Sequence, residues 1–297
     1  MYISRFQYSP FGVSFFLKIT QVDGKYTLII KNFKITLVFL KHYIKTYILL
    51  FFNKKTNMES TLKNKLQNIS IESLHTSVEN NPQAQAIIQK TFLWMWIITF
   101  LTFASWYFVL YLLKSWTLPV EYNVLFWISM LWWLALVFII SFFWEKMNYA
   151  TLAVLAILFA LLEWTGLTAV LYMYSASSII NVFAGAWILF VVMALYGYFT
   201  KSDLTKLWVI LLVWLIAVIV LSLVNMFLIK SSTFELFLSV ATLLIFLWLV
   251  AWNLQTLKLA ALSGDRRLEI VFWISLYLDF INIFLTLLRL FGSSSED

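Results

Sequence analysis

The sequence predicts an all-α membrane protein with seven transmembrane helices. Three observations carry that expectation. The 297 residues are 63% hydrophobic and only 12% charged, a balance foreign to soluble domains. Apolar runs of about 20 residues recur along the chain, the length that crosses a ~30 Å hydrocarbon core. Aromatic residues make up 19% of it, as expected where Trp and Tyr gather at membrane interfaces.

Residues 1–57 stand apart as a basic N-terminal extension. They hold nine Lys/Arg against one acid, Asp23, whereas residues 58–297 sum to a charge of −1. The overall charge of +7 therefore belongs to the extension, and nucleic-acid binding by the membrane body gains no support. The run 35–52 is apolar but interrupted by Lys41, His42 and Lys45. Lys31, Lys34, Lys41 and Lys45 fall near one helical face, as in a basic helix lying in the membrane plane. The alternative is that translation begins at Met58. Residues 58–91 then form a polar cytoplasmic tail.

The membrane domain occupies 92–297, with spans at 92–113, 122–143, 149–173, 178–199, 206–229, 233–256 and 268–291. Short polar connections separate them, among them Glu145-Lys146-Met147-Asn148, Lys201-Ser202-Asp203 and 258–267 with Gly264. If the tail is cytoplasmic, the inside loops hold Lys63, Lys65, Lys90, Lys146, Lys201, Lys206, Lys258, Arg266 and Arg267. The outside loops hold Lys114 and Lys230. That bias predicts a plasma-membrane protein with its amino end inside and its carboxyl end outside.

Several chemistries are excluded. There is no cysteine, hence no disulfide, thiolate metal site or thiol catalysis. Both histidines, His42 and His75, precede the first span; no His-Glu-x-x-His exists, and no intramembrane Ser-His protease can be assembled. The seven glycines are scattered, so no phosphate loop is present. The expectation is a protein that is not an enzyme and carries no resident cofactor.

The last span carries the most informative residues. Ser275, Asp279, Asn282, Thr286 and Arg289 recur at spacings of 4, 3, 4 and 3, which puts them on one helical face. A carboxylate at membrane depth costs roughly 2.5–3.5 kcal/mol on insertion scales, so Asp279 should face the bundle interior or a water-filled cavity. Ser275, Asn282 and Thr286 are equally well explained as interhelical hydrogen bonders. Arg289 either snorkels to the outer interface or turns inward to an ion pair. Glu163, near the centre of the third span, is either a buried acid partnered by Arg289 or sharing a proton with Asp279, or lies closer to an interface. Asn253, near the end of the sixth, reads on position as a helix-end hydrogen bonder. Ser178, Asn181 and Gly185 form a small-residue face suited to close helix packing.

Three segments resemble the bacterial branch of the Bax inhibitor-1 family: Tyr198-Phe-Thr-Lys-Ser-Asp-Leu-Thr-Lys-Leu-Trp208, Trp252-Asn-Leu-Gln-Thr-Leu-Lys258, and Ser275 through Gly292 with the acidic Glu296-Asp297 end. The likeness spans roughly 90–297. It implies six helices surrounding a central C-terminal helix, a calcium leak, and a pH-sensing acidic pair between the sixth and seventh helices. One member of that pair carries over to Asp279; the other falls on Asn253. Two close carboxylates share a proton because both cannot ionise cheaply, whereas an Asn–Asp pair keeps a hydrogen bond and loses the shared proton. No arginine matches the family's latch near the second helix; Lys146 is the nearest basic residue.

The resulting expectation is a lipid-embedded calcium leak in which Asn253 and Asp279 form a polar seal with weakened pH sensing. Asp279, with the Asn253 and Asn282 carbonyls, would give Ca2+ only a transient site. A second reading is a regulator that binds other membrane proteins, such as a membrane protease, through the tail from Glu59 to Lys90. A third, proton-coupled transport, uses Asp279 and Glu163 as relay carboxylates.

Overall fold

The computed structural model describes residues 18–22, 25–29, 71–114, 132, 135–136, 138–140, 142–171, 174–204 and 207–293. Two strands, β1 (Lys18–Val22) and β2 (Lys25–Ile29), pair antiparallel with Thr20 opposite Thr27. They are a departure from the all-α expectation, and Asp-Gly, the sequence between them, is a dipeptide that two-residue hairpins favour. The basic helix expected over 31–45 lies outside the described residues. So does most of the second span, although its Leu136 and Ile140 are buried in the core.

The helices are α1 (Ile71–Glu79), α2 (Pro82–Lys114), α3 (Tyr149–Leu171), α4 (Ala176–Phe199), α5 (Leu207–Val224), α6 (Ser232–Ala261) and α7 (Arg267–Phe291). A 3-10 turn, Trp144–Lys146, precedes α3, and a π-helical turn, Asn225–Ile229, finishes α5. Among the described residues, five stretches are long and apolar enough to cross a membrane: Pro82–Phe103, Ala176–Phe199, Leu207–Ile229, Ser232–Ala261 and Arg267–Phe291; Tyr149–Glu163 is a shorter apolar helix.

Local chemistry moves two expected boundaries. The first long helix begins at Pro82 rather than 92, because Asn81 Oδ1 accepts from the backbone N–H groups of Gln83 and Ala84, both at 3.1 Å. Asn at the cap and Pro at the first helical position is a strong start signal. The tail also contains α1, whose Leu74 and Val78 are buried where it packs on α2 and α6. At the other boundary, α6 runs five residues past 256 to Ala261. It stops where Gly264, at φ +74°, adopts a backbone that other residues rarely tolerate.

Every residue of α7 from Leu268 to Leu288 is buried. α6, α2, α4 and α3 pack around it, while α5 packs chiefly on α6. The outer helices turn apolar side chains outward, for example Ile188 and Val192 on α4 and Val213 and Trp214 on α5. That is the arrangement lipid demands, since tails solvate such surface and water does not.

Close approach is concentrated at one crossing. A Cβ on Gly197 of α4 would meet the backbone of Ala251 on α6, with its Cα at 2.5 Å. By contrast, a Cβ on Gly185 would meet nothing within 4 Å. The small-residue face Ser178–Asn181–Gly185 is thus not a close packing surface among the described residues. It lines an open groove of about 580 Å³ together with Leu287 and Phe291. The contrast gives a paired prediction. Gly197→Ala should cost about 1–3 kcal/mol through overpacking and lower the melting temperature in detergent, whereas Gly185→Ala should leave it unchanged. Equal melting temperatures for the two variants would contradict the crossing.

Candidate functional site

Asp279 lies at the midpoint of α7, and Asn253 lies eight residues, about 12 Å, inside the end of α6. Both are 0% exposed. Asn253 Nδ2 donates to Asp279 Oδ2 at 2.7 Å, at the short end of the N–H···O range. The extension of α6 to Ala261 explains the depth: Asn253 is two turns inside the helix, not a helix-end residue. Aromatic residues flank both members in sequence. Phe280 packs against Phe183, Trp187 and Phe190 of α4 at centroid distances of 5.4, 4.7 and 5.9 Å. Trp252 faces Trp208 of α5.

The rest of the stripe bonds within its own helix. Ser275 Oγ donates to Val271 O at 3.0 Å, Asn282 Nδ2 to Leu278 O at 2.7 Å and Thr286 Oγ1 to Asn282 O at 2.6 Å. These back-bonds satisfy the donors within the helix itself. Asn282 Oδ1 is left buried with no hydrogen bond among the described residues. Arg289 turns inward: its Nε and Nη2 are buried, with Glu235 of α6 and Tyr174 in electrostatic range.

Glu163 is a buried acid, 2% exposed. Among the described residues it meets neither Arg289 nor Asp279, but the hydroxyl of Tyr277. Tyr277 Oη lies 3.2 Å from Thr102 Oγ1 on α2. Two residues along a helix are about 200° apart, so Tyr277 and Asp279 leave α7 on opposite sides. The central helix therefore carries two separate polar sites, one facing α6 and one facing α2 and α3.

The model of a family described as inhibitor of apoptosis-promoting Bax1 matches residues 84–296. The chain belongs to the Bax inhibitor-1 family. It is 35% identical to the inner membrane protein YbhL of Escherichia coli K12 over 54% of this chain and 71% of that one. It is 36% identical to an uncharacterized protein of Rickettsia prowazekii, over 55% of this chain and 70% of the relative. An uncharacterized protein of Borreliella burgdorferi gives 35% identity over 54% and 72%. It is thus a multi-pass membrane protein of this family.

The family resemblance was carried by three segments, and two of them meet at the end of the bundle where α4 and α6 finish. Gln255 Oε1 accepts from Leu204 N and its Nε2 donates to Ser202 O, both at 2.8 Å. Lys258, expected in a loop, is a buried residue of α6. Its Nζ donates to Tyr198 O at 2.6 Å and sits 4.8 Å from the Tyr198 ring centroid. A cation on one of the last carbonyls of α4 caps that helix and complements its dipole.

At the same end Glu269, 1% exposed, accepts from Tyr149 Oη at 3.1 Å and lies 3.9 Å from Lys90 and 3.7 Å from Arg266. Lys146, the residue nearest the family's latch in sequence, lies instead over the Phe143 ring. Tyr277, Thr102, Gln255, Lys258 and Glu269 were absent from the sequence-based site. Tyr277, Gln255 and Lys258 sit inside the resembling segments, which is the available signal.

Among the described residues no three His, Cys, Asp or Glu side chains converge as a metal site. Calcium prefers six to eight oxygens. Asp279 and Asn282 Oδ1 supply few, and Asn253 turns its N–H rather than its oxygen toward the carboxylate. A retained ion is not what this donor set suits.

In the α6–α7 loop, burial pushes the Asp265 carboxyl up, but the hydrogen bonds from Arg267 outweigh it and hold the group below the usual aspartate range. Arg267 grips both oxygens, with Nη2 at 2.7 Å from Oδ2, and donates on to Glu145 O at 2.5 Å. A depressed folded value contributes stability that is complete above the ordinary value of about 3.9 and lost as pH falls through the folded one. Asp265→Asn should therefore lower the melting temperature at neutral pH and flatten its acid limb; an acid limb identical to wild type would exclude this clamp. Asn253→Leu, which removes a buried donor to a carboxylate, should cost about 1.5–3 kcal/mol in the same measurement.

Proposed function

We propose that this protein is a cation leak, with calcium as the permeant ion, and that Asn253 and Asp279 form the polar seal of its pathway. The observation that supports this most is the 2.7 Å bond between two fully buried residues on adjoining helices. A carboxylate kept at membrane depth offers a passing cation a fixed charge, and too few oxygens to retain it. The bond can open without protonation, because the amide is a neutral donor. Lys and Arg crowd the end at which α3 and α7 begin, so that end is cytoplasmic and the carboxyl terminus lies outside the plasma membrane. No catalytic role and no cofactor enter this reading.

The alternative regulator, binding other membrane proteins through the tail, needs a free arm. Leu74 and Val78 of that arm are instead buried against the bundle. Deleting 59–79 separates the two: the leak reading expects flux to persist, the regulator reading expects partner capture to vanish with flux intact.

Calcium entry into liposomes containing the purified protein tests the seal. Asp279→Asn should reduce flux about tenfold, the equivalent of about 1.4 kcal/mol at the barrier. Wild type should show a shallow flux-versus-pH curve, and Asn253→Asp, which places two carboxylates side by side, should steepen it. Superimposable pH curves would sink the seal mechanism.

A further inference from the structure

Glu163 is the buried ionisable group that the seal does not use, and its surroundings fix where a proton must be. Thr102 Oγ1 donates its one hydrogen to Ile98 O at 2.8 Å. In its 3.2 Å contact with Tyr277 Oη, Thr102 can therefore only accept, and Tyr277 is the donor. With its hydrogen committed to Thr102, Tyr277 has only lone pairs to offer Glu163. A carboxylate there would set lone pair against lone pair. A carboxylic acid has the missing hydrogen.

The surroundings of Glu163 also lack a counter-charge for a carboxylate. Tyr277, from α7, is the titratable group that faces Glu163 among the described residues, and Thr102, from α2, is polar but does not titrate. No cation from α2, α3 or α7 lies within electrostatic range among those residues. Neither Glu163 oxygen accepts an aligned hydrogen bond among them, so an ionised group would be both buried and unsatisfied.

We propose that Glu163, Tyr277 and Thr102 form a proton-binding site, separate from the Asn253–Asp279 pair, in which Glu163 is held as the neutral acid. In this site the acid hydrogen of Glu163 is directed at Tyr277, whose own hydrogen goes to Thr102, as that of Thr102 goes to Ile98 O. Loss of the Glu163 proton reverses the first link: Tyr277 must swing its hydrogen to the carboxylate and abandon Thr102. The ligand is thus a proton, and its departure reorients a hydroxyl that joins α7 to α2. The site stands whether or not the protein conducts ions.

Infrared difference spectroscopy of the full chain in lipid nanodiscs tests this without any flux measurement. At neutral pH the wild type should show the carbonyl stretch of a protonated carboxylic acid. Glu163→Gln should remove that band, and Asp279→Asn should leave it. Tyr277→Phe, which keeps the ring and deletes the acceptor, should shift the band to higher frequency. Retention of the full band in Glu163→Gln, or its absence from wild type at neutral pH, overturns the site. A band unmoved by Tyr277→Phe removes Tyr277 from it, and with it the directed chain.

Discussion

The burial of the final helix along its whole length governs everything else in this molecule. In a bilayer the apolar face of an ordinary helix can rest on lipid, and polar groups can be turned toward neighbours. α7 has no lipid-facing side from Leu268 to Leu288. Each polar group it carries must find its partner in the protein, or in its own backbone. Ser275, Asn282 and Thr286 take the second course, through bonds to the carbonyls four residues back. Asp279, Tyr277 and Glu269 reach other helices instead.

The surrounding helices reach α7 through different devices. α4 approaches with a stack of aromatic rings on Phe280 and Phe284. α4 and α6 then close on each other where Gly197 removes the side chain that would collide with Ala251. That contact places Tyr198 O within reach of Lys258 and the 202–204 loop within reach of Gln255. A missing Cβ on one helix thus sets the position of the helix that carries Asn253. Far from this crossing, the carboxyl-terminal backbone is secured by Ser293, whose N–H donates to Ser178 Oγ and whose carbonyl accepts from Ser175 N.

The helical class, the final span and the inward turn of Asp279 were legible because hydropathy and the cost of a membrane carboxylate act locally along the sequence. The limits of α7 differ by one residue from the expected 268–291 for the same reason: Gly292 and the charged 265–267 stretch bracket an uninterrupted apolar run. Three features were not legible. Lys258 looked like a loop residue, because a buried amine on a helix-end carbonyl depends on where another helix stops. Glu163 and Tyr277 are 114 positions apart in sequence, and no periodicity connects α3 to α7. Gly185 and Gly197 stand in similar apolar surroundings, yet only the second touches a neighbouring backbone, a difference set by where α6 meets α4 and not by the residue.

The two polar sites cannot relax independently, because one rigid element carries a member of each. Tyr277 and Asp279 leave α7 about 200° apart, toward α2 and α3 on one side and α6 on the other. A rotation that draws Asp279 away from Asn253 also turns Tyr277 relative to Thr102 and Glu163. Translation along the helix axis has the same consequence, since the 2.7 Å and 3.2 Å contacts both fall within hydrogen-bond range and weaken steeply with misalignment. The back-bonds of Asn282 and Thr286 travel with the helix. The aromatic packing on Phe280, the Glu269 contacts to Tyr149 and Lys90 and the two polar contacts all oppose displacement. The substitution of a neutral amide at position 253 therefore alters more than one bond, for it leaves the side of α7 that faces Glu163 as the one where loss of a proton changes the direction of a hydrogen bond.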